Sequence, residues 1–306
     1  MSDALALVDA HHHVWDLHLR PQPWLDEPGH EPIRRNFSSH ALRSAATRPI
    51  AGRRLTSTVV VQCIASVPET RDLLALADSD PLIGAVVGWA DLTSPAIGDV
   101  LDDLRAGPAG RYLRAVRHLV QGESDPQWLQ RPDVERGLRA VAERGLGYDV
   151  LVRSHQLPQA IRLAERLPEL PLVLDHAGKP SVARRELDDW ARQLRLLARH
   201  PQVHCKVSGL ATEADHEKWT VDDIRPVWDV LLSAFGPDRL MFGSDWPVCV
   251  LAGGWNRWAA TVEELLNDCS GTETQAVLAG TATAFYHLSP TPTPTPTPTK
   301  AGTPCS

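Results

Sequence analysis

The sequence predicts a (β/α)8 barrel, and three observations carry that prediction. Eight short apolar runs rich in β-branched residues recur along the chain, most of them are followed by amphipathic stretches with helical spacing, and the ionisable residues crowd at the ends of those runs. A doubly wound sheet would show fewer strands and a glycine-rich first turn, which is absent. The runs are Leu5–Asp9, Ser57–Cys63, Ile83–Trp89, Leu113–His118, Tyr148–Val152, Leu170–Asp175, Val203–Val207 and Arg239–Phe242. Each reads as a strand because a parallel strand covered on both faces becomes a near-continuous apolar run. The helical stretches between them are Val67–Ala77, Ile97–Arg105, Val134–Arg144, Pro158–Arg166, Leu187–Arg199 and Ile224–Phe235.

Two segments fall outside that rhythm. From Trp15 to Arg54 the chain is rich in Pro, Arg and Trp with little periodicity, too long for an ordinary connection, and is expected to form a lid over the barrel mouth. From Pro290 to Thr299 proline and threonine alternate, which offers no apolar face and predicts an extended, disordered tail over 290–306. The expected organisation is one barrel domain over 1–289 followed by that tail.

Composition narrows the function classes. The chain has 306 residues, of which 43% are hydrophobic, enough for one large buried core. Its net charge is -7 and its Lys and Arg residues form no basic block, so nucleic acid is not an expected partner. No stretch approaches the roughly 20 apolar residues of a bilayer span. No basic-then-apolar leader precedes the first strand, and five cysteines show no C-x-x-C spacing, so the expectation is a cytoplasmic enzyme acting on a small molecule. Oligomeric state leaves no distinct signal.

In a barrel of this kind the reactive groups sit at the C-terminal ends of the strands. Strand one ends on His11 and His13, which are two apart and therefore project together, while His12 between them points away. Strand eight ends on Asp245 and Trp246, and closure of the barrel makes these neighbours of strand one. Two imidazoles and a carboxylate at one point can hold a metal ion or share a water. The other strand ends offer Gln62, Trp89 and Asp91, Arg117 and His118, Arg153 and His155, Asp175, His176 and Lys179, and Lys206 and Ser208. Asp9 is expected one layer deeper, orienting a histidine or bonding backbone. His155, past its strand, is as readily a solvent-exposed loop histidine as a ligand. Lys206 stands in an apolar strand, where an ammonium must meet an anion or a polarised oxygen, and the expectation places it against the substrate. Of the ten tryptophans, Trp15, Trp89 and Trp246 fall at mouth positions.

The pattern Asp9-x-His11-x-His13-x-Trp15-Asp16, Arg117-His118, Asp175-His176-x-Gly178-Lys179-Pro180, Cys205-Lys206-Val207-Ser208-Gly209 and Met241-Phe242-Gly243-Ser244-Asp245-Trp246-Pro247 resembles the amidohydrolase superfamily. More narrowly it resembles the amidohydrolase type 2 branch that contains sugar lactonases. The resemblance runs from the first strand through Tyr286. It implies that His11, His13, His176 and Asp245 surround a reacting water, with one divalent ion such as zinc or manganese in a single site. The superfamily's carboxylated lysine has no counterpart at the end of strand four, so a second ion is not expected, and members of the branch that work without metal leave a metal-independent site open. The implied activity is hydrolysis of a small lactone, most simply a sugar-acid (aldono) lactone, with Asp245 as base, Lys206 near the reacting oxygens, and Arg117, His118, His155, Trp15, Trp89 and Trp246 binding substrate. Alternatives are a lactone from aromatic degradation, which would need several converging arginines, a decarboxylase-type lyase, and a barrel that has lost catalysis and only binds.

Overall fold

A computed structural model describes residues 5–289; the expected Pro/Thr tail lies outside the described residues. The strands are β1 (Ala6–His12), β2 (Arg54–Val61), β3 (Ile83–Gly88), β4 (Leu113–His118), β5 (Gly147–Val150), β6 (Leu172–Leu174), β7 (Val203–Val207) and β8 (Leu240–Phe242). They form one parallel sheet in sequence order. The sheet closes on itself where the Asp245 N–H donates to the His11 carbonyl (2.8 Å) and the His13 N–H to the Trp246 carbonyl (2.7 Å). The chain thus adopts the (β/α)8 barrel expected of it, with every strand within a few residues of its anticipated position.

The helices are α1 (Ser39–Ala45), α2 (Val67–Ser79), α3 (Ile97–Ala106), α4 (Pro132–Glu143), α5 (Leu157–Arg166), α6 (Asp188–Leu197), α7 (Val221–Phe235), α8 (Gly254–Leu265), α9 (Gly271–Gln275) and α10 (Thr281–Phe285). Their starts follow from local chemistry. The Ser66 side chain accepts from the Glu69 N–H ahead of α2, and Thr220 with Asp223 closes a capping box on α7, satisfying N–H groups that the helix itself leaves unpaired. The longer helices turn a buried apolar stripe inward: in α5 it is Leu157, Ala160, Leu163 and Ala164. Among the described residues no helix is long and apolar enough to cross a membrane.

Two layers of core result. One lies between strands and helices and includes Leu7, Val60, Val86, Tyr148 and Leu174. The other fills the lower barrel with Val8, Ala10, Val59, Val61, Ala85, Val87, Ala115, Val173 and Met241, and it is plugged from below by Ala279, Ala282, Tyr286 and Leu288 at the end of the chain. The segment 15–54 packs on the rim where the first and last barrel units meet. Trp15 and Phe37 exchange backbone hydrogen bonds, Phe37 packs edge-on against Trp246, and ion pairs from Arg20 to Asp72 and from Arg48 to Glu263 tie the segment to α2 and α8.

Candidate active site

β1 enters the site through a change of phase. Val8 and Ala10 face the barrel interior, and strict alternation would send His12 there next. A register irregularity against β2 between Asp9 and His12 shifts the phase by one residue, the signature of a bulge. His11 and His13 therefore turn inward, while His12 points outward and bonds Thr58 Oγ1 at 2.9 Å. Asp9 orients no imidazole. Its carboxylate accepts from the Ser244 N–H (2.8 Å), the Ser244 hydroxyl (2.6 Å) and the His11 N–H (3.1 Å), fastening the end of β8 to β1.

The other members arrive on strained backbone. Asp245 has φ 54°, and His176, Ala177, Gly178 and Lys179 form a left-handed turn with φ between 51° and 68°. Left-handed backbone costs an ordinary residue about 1–2 kcal/mol, so the surroundings must hold it. The Trp190 indole N–H does so by donating to the Ala177 carbonyl at 2.7 Å, and Ser208 Oγ holds His176 Nδ1 at 2.9 Å. Gly209 makes the approach possible: a Cβ there would stand 2.6 Å from His176 Nδ1 and 3.2 Å from Asp245 Oδ2.

At the mouth, four ligand atoms converge. His11 Nε2 and His13 Nε2 lie 3.2 Å apart, and Asp245 Oδ1 is 3.7 Å from the first, 3.5 Å from the second and 3.9 Å from His176 Nε2. The neighbours select bare nitrogens. His13 donates from Nδ1 to the Val61 carbonyl (2.8 Å), and His11 Nδ1 lies 3.3 Å from Asp175 Oδ1, which leaves both Nε2 lone pairs facing each other. Two bare imidazole nitrogens at that distance repel unless a cation lies between them. Burial keeps His11 well below its ordinary pKa and brings His176 to about 4, so both are neutral near pH 7. Burial pushes the Asp245 carboxyl up, but His176, His13 and His11 outweigh it and hold the group below the usual carboxylate range. Tetrahedral zinc with bonds of about 2.0–2.1 Å needs ligand atoms about 3.3 Å apart. The His11, His13 and Asp245 atoms meet that spacing within a few tenths of an ångström, so these residues fit a divalent ion.

Beneath this set runs a layer of buried charge. Arg117 Nη1 donates to Asp175 Oδ2 (3.0 Å) and lies 3.4 Å from His11 Nε2, while Nη2 donates to the Gln62 carbonyl. Lys206 Nζ lies 2.5 Å from Asp149 Oδ2, 3.0 Å from Asp175 Oδ1 and 3.1 Å from His11 Nδ1, with no exposed surface. The Tyr286 hydroxyl donates to Asp149 at 2.9 Å. Burial raises Asp149 to about 6 despite Lys206, whereas for Asp175 the attraction of Lys206, His11 and Arg117 overcomes burial and lowers it well below the usual range.

Three expectations change accordingly. Lys206 is paired with two carboxylates under His11, because an ammonium in the barrel finds anions there before it reaches the mouth. Trp15 and Trp246 are buried rim packing, 5% and 2% exposed, with the Trp15 N–H donating to the Arg35 carbonyl. Arg117 lies in the charged layer, already bound to Asp175 and Gln62. His118 does stand at the rim, where it accepts from the Trp89 N–H (3.1 Å), meets Glu123 Oε1 (2.7 Å) and stacks on Trp128 at 4.0 Å. His155 is exposed on the short turn leading into α5 and is not drawn into the histidine cluster. Sequence reasoning missed Asp149, Tyr286, Glu123 and Trp128. Of these Asp149 left a signal, a carboxylate inside the apolar run Tyr148–Val152, as out of place there as Lys206 in its own strand.

Comparison with known proteins agrees with this geometry. Residues 8–288 match the family model described as amidohydrolase. An L-fucono-1,5-lactonase of Burkholderia multivorans (strain ATCC 17616 / 249) is 38% identical over 292 residues, which cover 92% of this chain and 96% of the relative. A second L-fucono-1,5-lactonase, from Burkholderia ambifaria (strain ATCC BAA-244 / DSM 16087 / CCUG 44356 / LMG 19182 / AMMD), is 34% identical, covering 92% of this chain and 95% of the relative. A crystal structure of a Burkholderia multivorans amidohydrolase with bound zinc superposes with a TM-score of 0.86 at 36% identity, covering 93% of this chain and all of the other.

Proposed function

The chain belongs to the amidohydrolase family, and on that premise we propose that it is a hydrolase opening an aldono-1,5-lactone, with L-fucono-1,5-lactone as the leading candidate. One observation carries the site assignment: a single carboxylate oxygen, Asp245 Oδ1, stands within 3.5–3.9 Å of three imidazole Nε2 atoms at the mouth of the barrel.

The chemistry follows from those groups. Asp245, ionised at neutral pH, takes a proton from water as the water oxygen bonds to the lactone carbonyl carbon. The ring C–O bond then breaks, and Asp245 returns its proton to the departing alkoxide, giving the open hydroxy acid. A divalent ion would be held by His11 Nε2, His13 Nε2 and Asp245, with His176 beside them; when bound, it lowers the pKa of water toward ~7 and polarises a carbonyl. His176, neutral and braced by Ser208 at 2.9 Å, borders the reacting atoms. His118, Trp89, Glu123 and His155 line the rim, where hydroxyls of a sugar acid would be read. A dicarboxylate substrate fits less well, because Arg117 is already committed to Asp175 and Gln62 and Arg153 is exposed.

A panel of aldono-1,4- and 1,5-lactones, assayed by proton release with and without chelator, tests this reading. The expected result is turnover of one or more 1,5-lactones. Inertness toward the whole panel, with carbon dioxide released from an aromatic acid instead, would replace the lactonase by a lyase.

A further inference from the structure

The two ring nitrogens of His11 face two different places. Nε2 looks to the mouth, toward His13 and Asp245. Nδ1 looks down into a fully buried pocket whose walls are Asp149 Oδ2, Asp175 Oδ1 and the Tyr286 hydroxyl that braces Asp149. Lys206 Nζ stands in the middle of that pocket, 2.5, 3.0 and 3.1 Å from Asp149 Oδ2, Asp175 Oδ1 and His11 Nδ1. Asp175 Oδ1 is buried and aimed at this point, facing Lys206 Nζ at 3.0 Å and His11 Nδ1 at 3.3 Å. Two buried carboxylate oxygens converging on one centre form the donor core of a cation site, and the N–H side of His11 borders it. Here the cation is covalently part of the chain.

We propose that this pocket is a second cation site with the Lys206 ammonium as its permanent occupant, and that Lys206 thereby limits the barrel to one exogenous metal ion. Charge supports the reading. Lys206 and Arg117 together neutralise Asp149 and Asp175, so the layer is balanced as it stands and a divalent ion added to it would leave uncompensated positive charge in the interior. Removing the ammonium leaves two buried carboxylates sharing one positive partner. Such a pair must take up protons or capture a cation.

The inference needs no assumption about the substrate and is tested by metal stoichiometry. Wild type, Lys206→Ala and Lys206→Met are dialysed against zinc, freed of excess, and analysed for zinc per folded chain by elemental analysis. Lys206→Ala, which vacates the pocket, should carry one zinc more than wild type, whereas Lys206→Met, which refills it with an apolar stem, should match wild type. Asp149→Asn in the Lys206→Ala background should remove the added ion and leave the wild-type complement. Asp245→Asn in that background should do the reverse, which separates this pocket from the mouth site. Equal zinc in wild type and Lys206→Ala overturns the proposal. If Lys206→Ala folds poorly without metal, zinc must restore its melting temperature to near the wild-type value; a fold that zinc does not rescue also overturns it.

Discussion

Asp245 and Gly209 illustrate how single residues are committed at this site. With three imidazoles around its carboxylate, Asp245 is the group placed to move the proton of the attacking water. Asp245→Asn keeps the volume and removes the base, so turnover on a confirmed lactone should fall about 100-fold or more while circular dichroism stays unchanged. A folded variant with near-native turnover would transfer the base role to another group. Gly209 has φ +61° and no room for a methyl group beside His176. Gly209→Ala should cost about 1–2 kcal/mol of backbone strain, and it should displace His176 enough to lower turnover about 100-fold. Kinetics and a denaturation curve on one preparation check both halves. Much at this scale was legible in the sequence, because strand ends announce themselves: His11, His13, His176 and Asp245 all follow apolar runs. Lys206 was noticed but misplaced, since periodicity tells that a side chain enters the barrel and not how far along the axis its ammonium finds an anion. Asp149, its partner, was as legible as Lys206, a carboxylate inside the apolar run Tyr148–Val152, but nothing in the sequence pairs the two across strands 57 positions apart.

Individual elements add constraints of their own. The irregularity in β1 sends His12 outward into the layer between strand and helix, where burial lowers its pKa to about 3. The folded protein therefore resists a proton that the unfolded chain accepts below about 6.5. The sign is that of a base with a depressed pKa: its contribution is complete above 6.5 and is lost as pH falls toward 3. At pH 5 that loss amounts to about 2 kcal/mol. His12→Gln, which keeps a hydrogen bond to Thr58, should lose correspondingly less stability than wild type between pH 7 and pH 5, measured by urea unfolding; equal losses would show that His12 is not the titrating group. In the segment 15–54, Phe37 links Trp15, at 5.3 Å between rings, to Trp246, at 5.2 Å. Phe37→Ala should cost about 3–5 kcal/mol and expose this segment to limited proteolysis before the barrel; unchanged cleavage would mean that other contacts hold it. The sequence marked the segment as irregular but not its docking, which depends on aromatic residues more than two hundred positions apart.

At the scale of the whole molecule, the barrel was readable because parallel strands covered on both faces leave apolar, β-branched runs in order. α8 and the short α9 and α10 were not singled out, and the plug that α10 and Tyr286 place under the barrel is a tertiary relation with no periodic trace. An ion that binds the folded barrel and not the unfolded chain stabilises it by about 2.7 kcal/mol at a hundredfold excess over its Kd. Zinc should thus raise the melting temperature and chelator lower it, and Asp245→Asn should abolish both shifts; a melt indifferent to zinc in wild type would remove the mouth cluster as a metal site. The closure of the barrel has a further consequence, for biosynthesis. Asp9 and Ser244, which fasten the first strand to the last, are 235 positions apart, so at about 5–20 residues per second the ribosome takes roughly 10–50 s between them. During that interval the nascent first strand carries its histidines with no eighth strand to receive them, and Asp149 waits for Tyr286, 137 positions further on, until after β8 has emerged. The active centre is consequently assembled after translation of nearly the whole chain, so a message broken before the codons for β8 yields no partly competent enzyme.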